Sequence, residues 1–298
     1  MPGITCFPSE WSSTLRSEPR ISPCFGAPVS SDKTHRDNRA LRFYSEVLGL
    51  ERLNYGLWGP DDELTFGNLR RAQQRYEDHV VGLIPVGARR VLDVGCGTGV
   101  LSARLRREGF DVEGLSPDRA QQAAFAERTD ARFHLTRFQD LGAVEPFDCL
   151  IMSESVQYVP LEKVFPKATE CLKPGGYVIV CDYFTLAGAS GIQAKSGHDL
   201  EAFRAEAGAA GFRTVAERDI TEETVPTLDL AADFAGRAEI GLELATERFR
   251  DEKPLRYRLG KWLLRKPIRK MTRQRPLIDS AAFRQSKRYM SFVFQRGE

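Results

Sequence analysis

The run Val91-Leu92-Asp93-Val94-Gly95-Cys96-Gly97-Thr98-Gly99-Val100 carries the most readable chemistry in this chain. An apolar strand breaks there into a turn with glycine at alternate positions. Glycine has no Cβ and tolerates φ > 0, so the main chain can approach a ligand closely, while a helix starting near Val100 aims free N–H groups at it. A carboxylate fits such a cradle. The GxGxxG dinucleotide turn arises from the same physics, but here the spacing is GxGxG with Asp93 two residues ahead. No Walker lysine follows to serve a phosphate loop. A dinucleotide site and a merely structural turn are the competing readings.

The elements that must position this turn follow from the apolar pattern. After Arg90, short apolar strands alternate with helices, the mark of a parallel sheet covered on both faces. Strands are expected at 91–94, 112–115, 132–135, 149–153 and 177–181, with two more at 212–218 and 289–294. Helices are expected at 117–128, 161–172 and 199–210. Lys173-Pro174-Gly175-Gly176 turns the chain into the fifth strand. Ahead of the first strand, Leu64, Leu69, Ala72, Tyr76, Val80 and Leu83 share one face of a helix that Asp61 or Asp62 can cap. The aromatic stretch 41–58 before it is expected to be helical up to a turn.

Composition narrows the classes. The chain has 298 residues, 42% of them hydrophobic, and 43 basic against 41 acidic side chains give a formal charge of +2. This balance implies no global preference for nucleic acid or membrane. The six cysteines form no CxxC pair, so neither a metal site nor a disulfide framework is expected, and a reducing cytoplasm is the natural home. No apolar run reaches transmembrane length. Residues 1–37, rich in Ser and Pro, read as a disordered leader, 38–88 as a helical cap and 89–221 as the core. Residues 222–287 read as a helical insertion serving as a substrate lid, and 288–298 as the last core strand.

The glycine run resembles motif I, DxGxGxG, of the class I S-adenosylmethionine-dependent methyltransferases. Lys-Pro-Gly-Gly ahead of an apolar strand resembles the same family. The segment Phe43-Tyr44…Asn54-Tyr55-Gly56-Leu57-Trp58 resembles the F-Y…H-Y-G-x-W stretch of the group containing cyclopropane fatty acid synthases, sterol and tocopherol methyltransferases and small-molecule methyltransferases, with asparagine where histidine is usual. The resemblance covers about 41–220. It implies an α/β, Rossmann-like seven-stranded sheet, mostly parallel with a reversed last strand, and S-adenosyl-L-methionine as cofactor.

Site residues follow at the carboxyl ends of the strands, where open α/β sheets bind ligands. The resemblance assigns Asp93, Gly95, Gly97, Thr98 and Gly99 to the methionine part. At the second strand it places Leu115 and Ser116 near the ribose, Ser116 standing where an acid is usual, with Asp118 either reaching the ribose or sitting as an ordinary first-turn acid. Phe138 and Gln139 fall at the adenine and Ser153 near the methionine part. Glu154, Tyr158 and Tyr55 are the candidates to act at the methyl group, with Gln157 and His79 also in view. Methyl transfer needs alignment of a nucleophile with the methyl carbon and exclusion of water, and a base only where the accepting atom carries a proton. The acceptor is expected to be a hydrophobic or amphiphilic small molecule. A non-methylating, cofactor-assisted cyclase or binding protein on the same fold is the alternative.

Between Lys253 and Arg275 stand ten Lys or Arg and no acid, interleaved with Leu255, Leu259, Trp262 and Leu263. Two readings stay open: peripheral contact with an anionic membrane, or a solvated face over an amphiphilic acceptor. No aromatic stacking module accompanies the charges, so nucleic acid is not expected.

Overall fold

Residues of one apolar run divide between the two faces of the sheet with the period of two that a strand imposes. Val91 packs with Val112, Cys149 and Ile151 on one face, and Leu92 with Leu150, Met152 and Val178 on the other. The computed structural model describes residues 49–252 and 275–298. Strands β1 (Arg90–Val94), β2 (Asp111–Leu115), β3 (Arg132–His134), β4 (Phe147–Ser153), β5 (Leu172–Thr185), β6 (Phe212–Asp219) and β7 (Lys287–Arg296) form one sheet in the order β3-β2-β1-β4-β5-β7-β6. β7 runs antiparallel to both β5 and β6, and the other neighbours pair in parallel. The fold class is the expected one. The order reverses between β1 and β4, which makes the crevice above them the natural ligand site.

The helices are α1 (Phe66–Gly82), α2 (Val100–Arg107), α3 (Arg119–Ala126), α4 (Leu161–Cys171), α5 (Leu200–Ala209), α6 (Thr221–Thr224), α7 (Pro226–Glu252) and α8 (Ser280–Ser286). The insertion before the last strand is therefore helical where described. The leader 1–37, the start of the aromatic stretch and the basic segment up to residue 274 lie outside the described residues.

Several local expectations are corrected. The cap of α1 is Thr65, whose hydroxyl accepts from the Asn68 amide, because Asp62 is engaged by the Gly59 amide and by Arg75. Leu64 is exposed and lies outside that helix, whereas Leu69, Ala72, Tyr76 and Val80 are buried along it. Residues 49–58 are not helical. They form an irregular strap, since their backbone donors go to other elements: Leu57 N–H to Ala72 O at 2.8 Å and Trp58 N–H to Glu223 O at 2.7 Å. β5 starts earlier than expected, because Leu172 already pairs with Phe147 before Lys173–Gly176 bulges out and pairing resumes at Tyr177 opposite Cys149. The outer strand β6 is exposed beyond Phe212 and carries Arg213, Glu217, Arg218 and Asp219, charges that discourage pairing with another chain.

Candidate active site

Three glycines open the crevice, each with positive φ: 77° at Gly95, 54° at Gly97 and 82° at Gly99. Their surroundings differ. A Cβ at Gly95 would stand 2.4 Å from Ser155 Cβ, and one at Gly99 would stand 2.7 Å from the Phe125 ring, so these two glycines let the chain pack against its own core. A Cβ at Gly97 meets nothing within 4 Å. Gly97 alone of the three faces open space, whereas a side chain at Gly95 or Gly99 would strike the protein itself. Gly99→Ala is expected to lower stability by about 1–3 kcal/mol through overpacking, and thermal unfolding would read this as a reduced Tm.

The turn is tied down by bonds that leave that space clear. The Gly95 and Cys96 amides both donate to Leu115 O, at 2.8 and 3.2 Å, so the Leu115 carbonyl serves the loop itself. Asp93, at the end of β1, is buried and accepts from Ser102 Oγ at 2.6 Å. Burial pushes its carboxyl up to about 6, with the Glu77 charge adding to the rise. Ser155 Oγ donates to Val94 O at 2.5 Å and locks the end of β4 to that of β1. Ser116, past the end of β2, donates to Gln121 Oε1 at 2.6 Å, while Asp118 caps α3 by accepting from Ala120 N–H. Asp118 thus takes the ordinary first-turn role. Phe138 is buried in a short 3-10 turn with Gln139 half-buried beside it. Strand ends β1, β2 and β4 and the turn after β3 therefore converge as the fold requires.

The strap covers this crevice. Thr98 Oγ1 donates to Glu51 O at 3.3 Å, and Gln73 Nε2 donates to Arg52 O and Asn54 O at 3.2 and 2.7 Å. Arg52 forms a two-point pair with buried Glu77 at 2.7 and 3.1 Å. Thr227 Oγ1 accepts from both Gly56 N–H and Trp58 Nε1, at 3.0 and 2.9 Å, which fastens the strap to the start of α7.

Under the strap lies Glu154, the one described non-glycine residue in the left-handed region, at φ 51°. Such strain clusters at functional positions. Its Oε1 accepts from the Tyr55 amide at 2.6 Å and from Tyr289 Oη at 2.7 Å. Tyr289 Oη also reaches Tyr76 Oη at 2.9 Å, and Tyr76 Oη meets Ser153 Oγ at 3.0 Å. Burial pushes the Glu154 carboxyl up to about 7, the two bonds it accepts drawing it back. Both bonds fall on Oε1, leaving Oε2 to receive a proton. Tyr55, Ser153 and Glu154 are thus brought together. Tyr158 is not part of this network: it is 77% exposed in the turn after β4. His79 stands beside Arg218 and Glu223, and burial lowers its basicity.

Four residues escaped the sequence reading: Tyr76, Tyr289, Asp182 and Lys287. The first two sit inside apolar patterns and look like core. Asp182 carried a signal, since it is an acid in the buried fifth strand next to its carboxyl end. It is fully buried and accepts from Gln157 N–H, Gln157 Nε2 and Tyr183 N–H at 3.3, 3.2 and 2.8 Å. Burial first, and then the Glu154 charge, push it up to about 8. A carboxyl raised above its unfolded value stabilises the fold while protonated, and that share fades as pH climbs from 3.8 to about 8. The Tm advantage of the native chain over Asp182→Asn is therefore expected to shrink between pH 5 and pH 8, and parallel Tm curves would contradict it.

An S-adenosylmethionine molecule suits this crevice on the structure's own terms, through the open space at Gly97 and the strand ends around it. Comparison with known proteins agrees. The Methyltransferase domain family matches residues 63–221, more than half of the chain. A ubiquinone biosynthesis O-methyltransferase of Bradyrhizobium diazoefficiens is 30% identical over 152 residues, which span 46% of this chain and 60% of that relative. Among solved structures, geranyl diphosphate methyltransferase in complex with GPP and sinefungin superposes with a TM-score of 0.63 at 19% identity, covering 86% of this chain and 93% of that one. The 4+2 cyclase SpnF gives 0.61 at 16% identity, covering 91% and 99%. With motif, sheet order and family match in agreement, the chain belongs to the Methyltransferase domain family, enzymes that take their methyl group from S-adenosylmethionine.

Proposed function

We propose that this chain methylates a carbon, oxygen or nitrogen atom of a hydrophobic or amphiphilic small molecule, with Glu154 as the base that removes the proton from the accepting atom. The observation that carries this reading is Glu154 itself: a strained backbone, a carboxyl held at about 7, and an oxygen left without a hydrogen bond. A base whose pKa lies near the working pH is matched to proton abstraction. When bound, S-adenosylmethionine supplies a methyl carbon on a sulfonium leaving group. The chain's own part is alignment, exclusion of water and removal of the proton. Gly97 leaves room for the amino-acid tail, with Asp93 and Thr98 beside it. In this reading Ser116 meets the ribose and Gln139 the adenine, with Phe138 beside the ring. The strap residue Tyr55 closes the crevice over Glu154 and keeps water from the methyl group.

The relative and the structural neighbour named above suggest acceptors to try, an intermediate of ubiquinone biosynthesis and geranyl diphosphate. The test is release of S-adenosylhomocysteine on incubation with such acceptors. Turnover with at least one is expected. Tight cofactor binding with no turnover on any acceptor would favour the cyclase or binding-protein reading, which the likeness to SpnF keeps in play. Membrane contact through 253–275 is proposed from composition alone, and almost all of that segment lies outside the described residues. No described helix is long and apolar enough to cross a membrane.

A further inference from the structure

Lys287 is out of place for a lysine. It opens β7, is only 3% exposed, and its ammonium lies 4.1 Å from the centre of the Tyr183 ring. Ser196 Oγ accepts from Nζ at 2.9 Å. An ammonium has three donors, and among the described residues no carboxylate stands within ion-pair distance to take the others. Asp182 acts on it through space, but the oxygens of Asp182 are taken by Gln157 and by the Tyr183 amide. A lysine retained merely to neutralise Asp182 would be hydrogen-bonded to it. Burying an ammonium without an anion is unfavourable, and burial accordingly lowers the Lys287 pKa to about 8.

The surroundings point to what relieves that cost. The Tyr183 ring lies between Lys287 and the strap, its centre 6.5 Å from that of Tyr55, whose own amide donates to Glu154. The Tyr183 hydroxyl donates to Gln157, three residues past Glu154. Phe283 flanks the same aromatic group, 6.1 Å from Tyr183 and 6.5 Å from Tyr55. On its outer side the ammonium is covered by the loop carrying Ser196, in which Ala194 and Lys195 are exposed. A cluster of mutually tilted aromatic rings, Tyr55 and Tyr183 half-buried and Phe283 buried behind them, thus lies between the base and a cation that has spare donors and sits beneath a surface loop.

We propose that Lys287 recognises an anionic oxygen, a carboxylate or phosphate, at the far end of the methyl acceptor, whose apolar body lies along the half-buried rings of Tyr55 and Tyr183. This proposal rests on reading the chain as a small-molecule methyltransferase, and it narrows the acceptor to an anionic amphiphile. Ser196 would share the anion by turning its O–H from Tyr183 to the ligand, while its Oγ still accepts from the ammonium.

The experiment uses the whole chain and Lys287→Met, which keeps the apolar stem against Tyr183. Calorimetry with S-adenosylhomocysteine comes first, and equal affinity is expected in both proteins. The loaded proteins are then titrated with benzoate, phenyl phosphate and the neutral isostere benzamide. The native chain is expected to prefer at least one anion over benzamide by about tenfold or more, the size of one charge-assisted hydrogen bond. Lys287→Met should lose that preference and Lys287→Arg should retain part of it. Whichever anion is preferred identifies the head group. Equal binding of the three probes, binding of none, or a preference that survives in Lys287→Met would overturn the proposal. Failure of S-adenosylhomocysteine to bind the native chain would instead remove the methyltransferase reading on which it stands.

Discussion

Gly97→Val yields a folded protein whose affinity for S-adenosylmethionine falls by at least about a hundredfold, the consequence of placing an isopropyl group in the space the ligand takes. Gly95 and Gly99 would be poor choices for this experiment, because a side chain at either strikes Ser155 or Phe125 and disturbs the fold directly. At Gly97 the only local penalty is the left-handed backbone, at φ 54°, which costs a β-branched residue on the order of 1–3 kcal/mol. Stability and affinity are therefore separable. Calorimetry with S-adenosylmethionine measures one and thermal unfolding the other. Undiminished affinity in a folded Gly97→Val protein would take the glycine turn out of the binding site.

Glu154→Gln is expected to lower kcat by about a hundred- to ten-thousandfold, the range for losing a positioned proton acceptor, while leaving affinity for S-adenosylhomocysteine nearly unchanged. Glutamine keeps an oxygen for the Tyr55 amide and the Tyr289 hydroxyl, so the strap stays closed. The sign of the pH effect follows from the raised carboxyl. Only the ionised form accepts a proton, so the native rate should rise as pH passes through about 7 and level off above it. In Glu154→Gln that limb should be absent. A variant retaining native kcat and the same pH limb would show that another group takes the proton, or that the accepting atom carries none.

How much of this was legible in the residues varies with the range of the contact. The sheet, the glycine turn and the Lys-Pro-Gly-Gly turn could be read because each is fixed by neighbours in sequence: apolar strands of four or five residues, alternate glycines, a proline ahead of two glycines. The described part of the aromatic stretch, 49–58, is a strap rather than a helix. Its amides find partners in Ala72, Glu223 and Thr227, far along the chain. The helix cap was misplaced for the same reason, since Asp62 pairs with Arg75 thirteen residues away while Thr65 does the capping. Glu154 and Tyr55 are candidates in the sequence and are hydrogen-bonded in the fold, yet the hydroxyl that holds Glu154 belongs to Tyr289, separated from it by 135 residues. Nothing in the apolar pattern Tyr289–Phe294 distinguishes that tyrosine from a packing residue. Tyr158, beside Glu154 in sequence, makes no hydrogen bond to this network and is largely exposed in the turn after β4.

The position of β7 bears on how the molecule is made. The seventh strand to leave the ribosome is inserted between the fifth and the sixth rather than added at an edge, and it brings Tyr289 to Glu154. Until it emerges, β6 has no partner and the exposed flank of β5 is a ready template for intermolecular aggregation. A nascent or truncated chain without β7 lacks the hydroxyl that holds the Glu154 carboxylate. If Glu154 is the base proposed above, methyl transfer has to wait for the last strand, and C-terminal truncation is expected to be a severe lesion even where the cofactor crevice is intact.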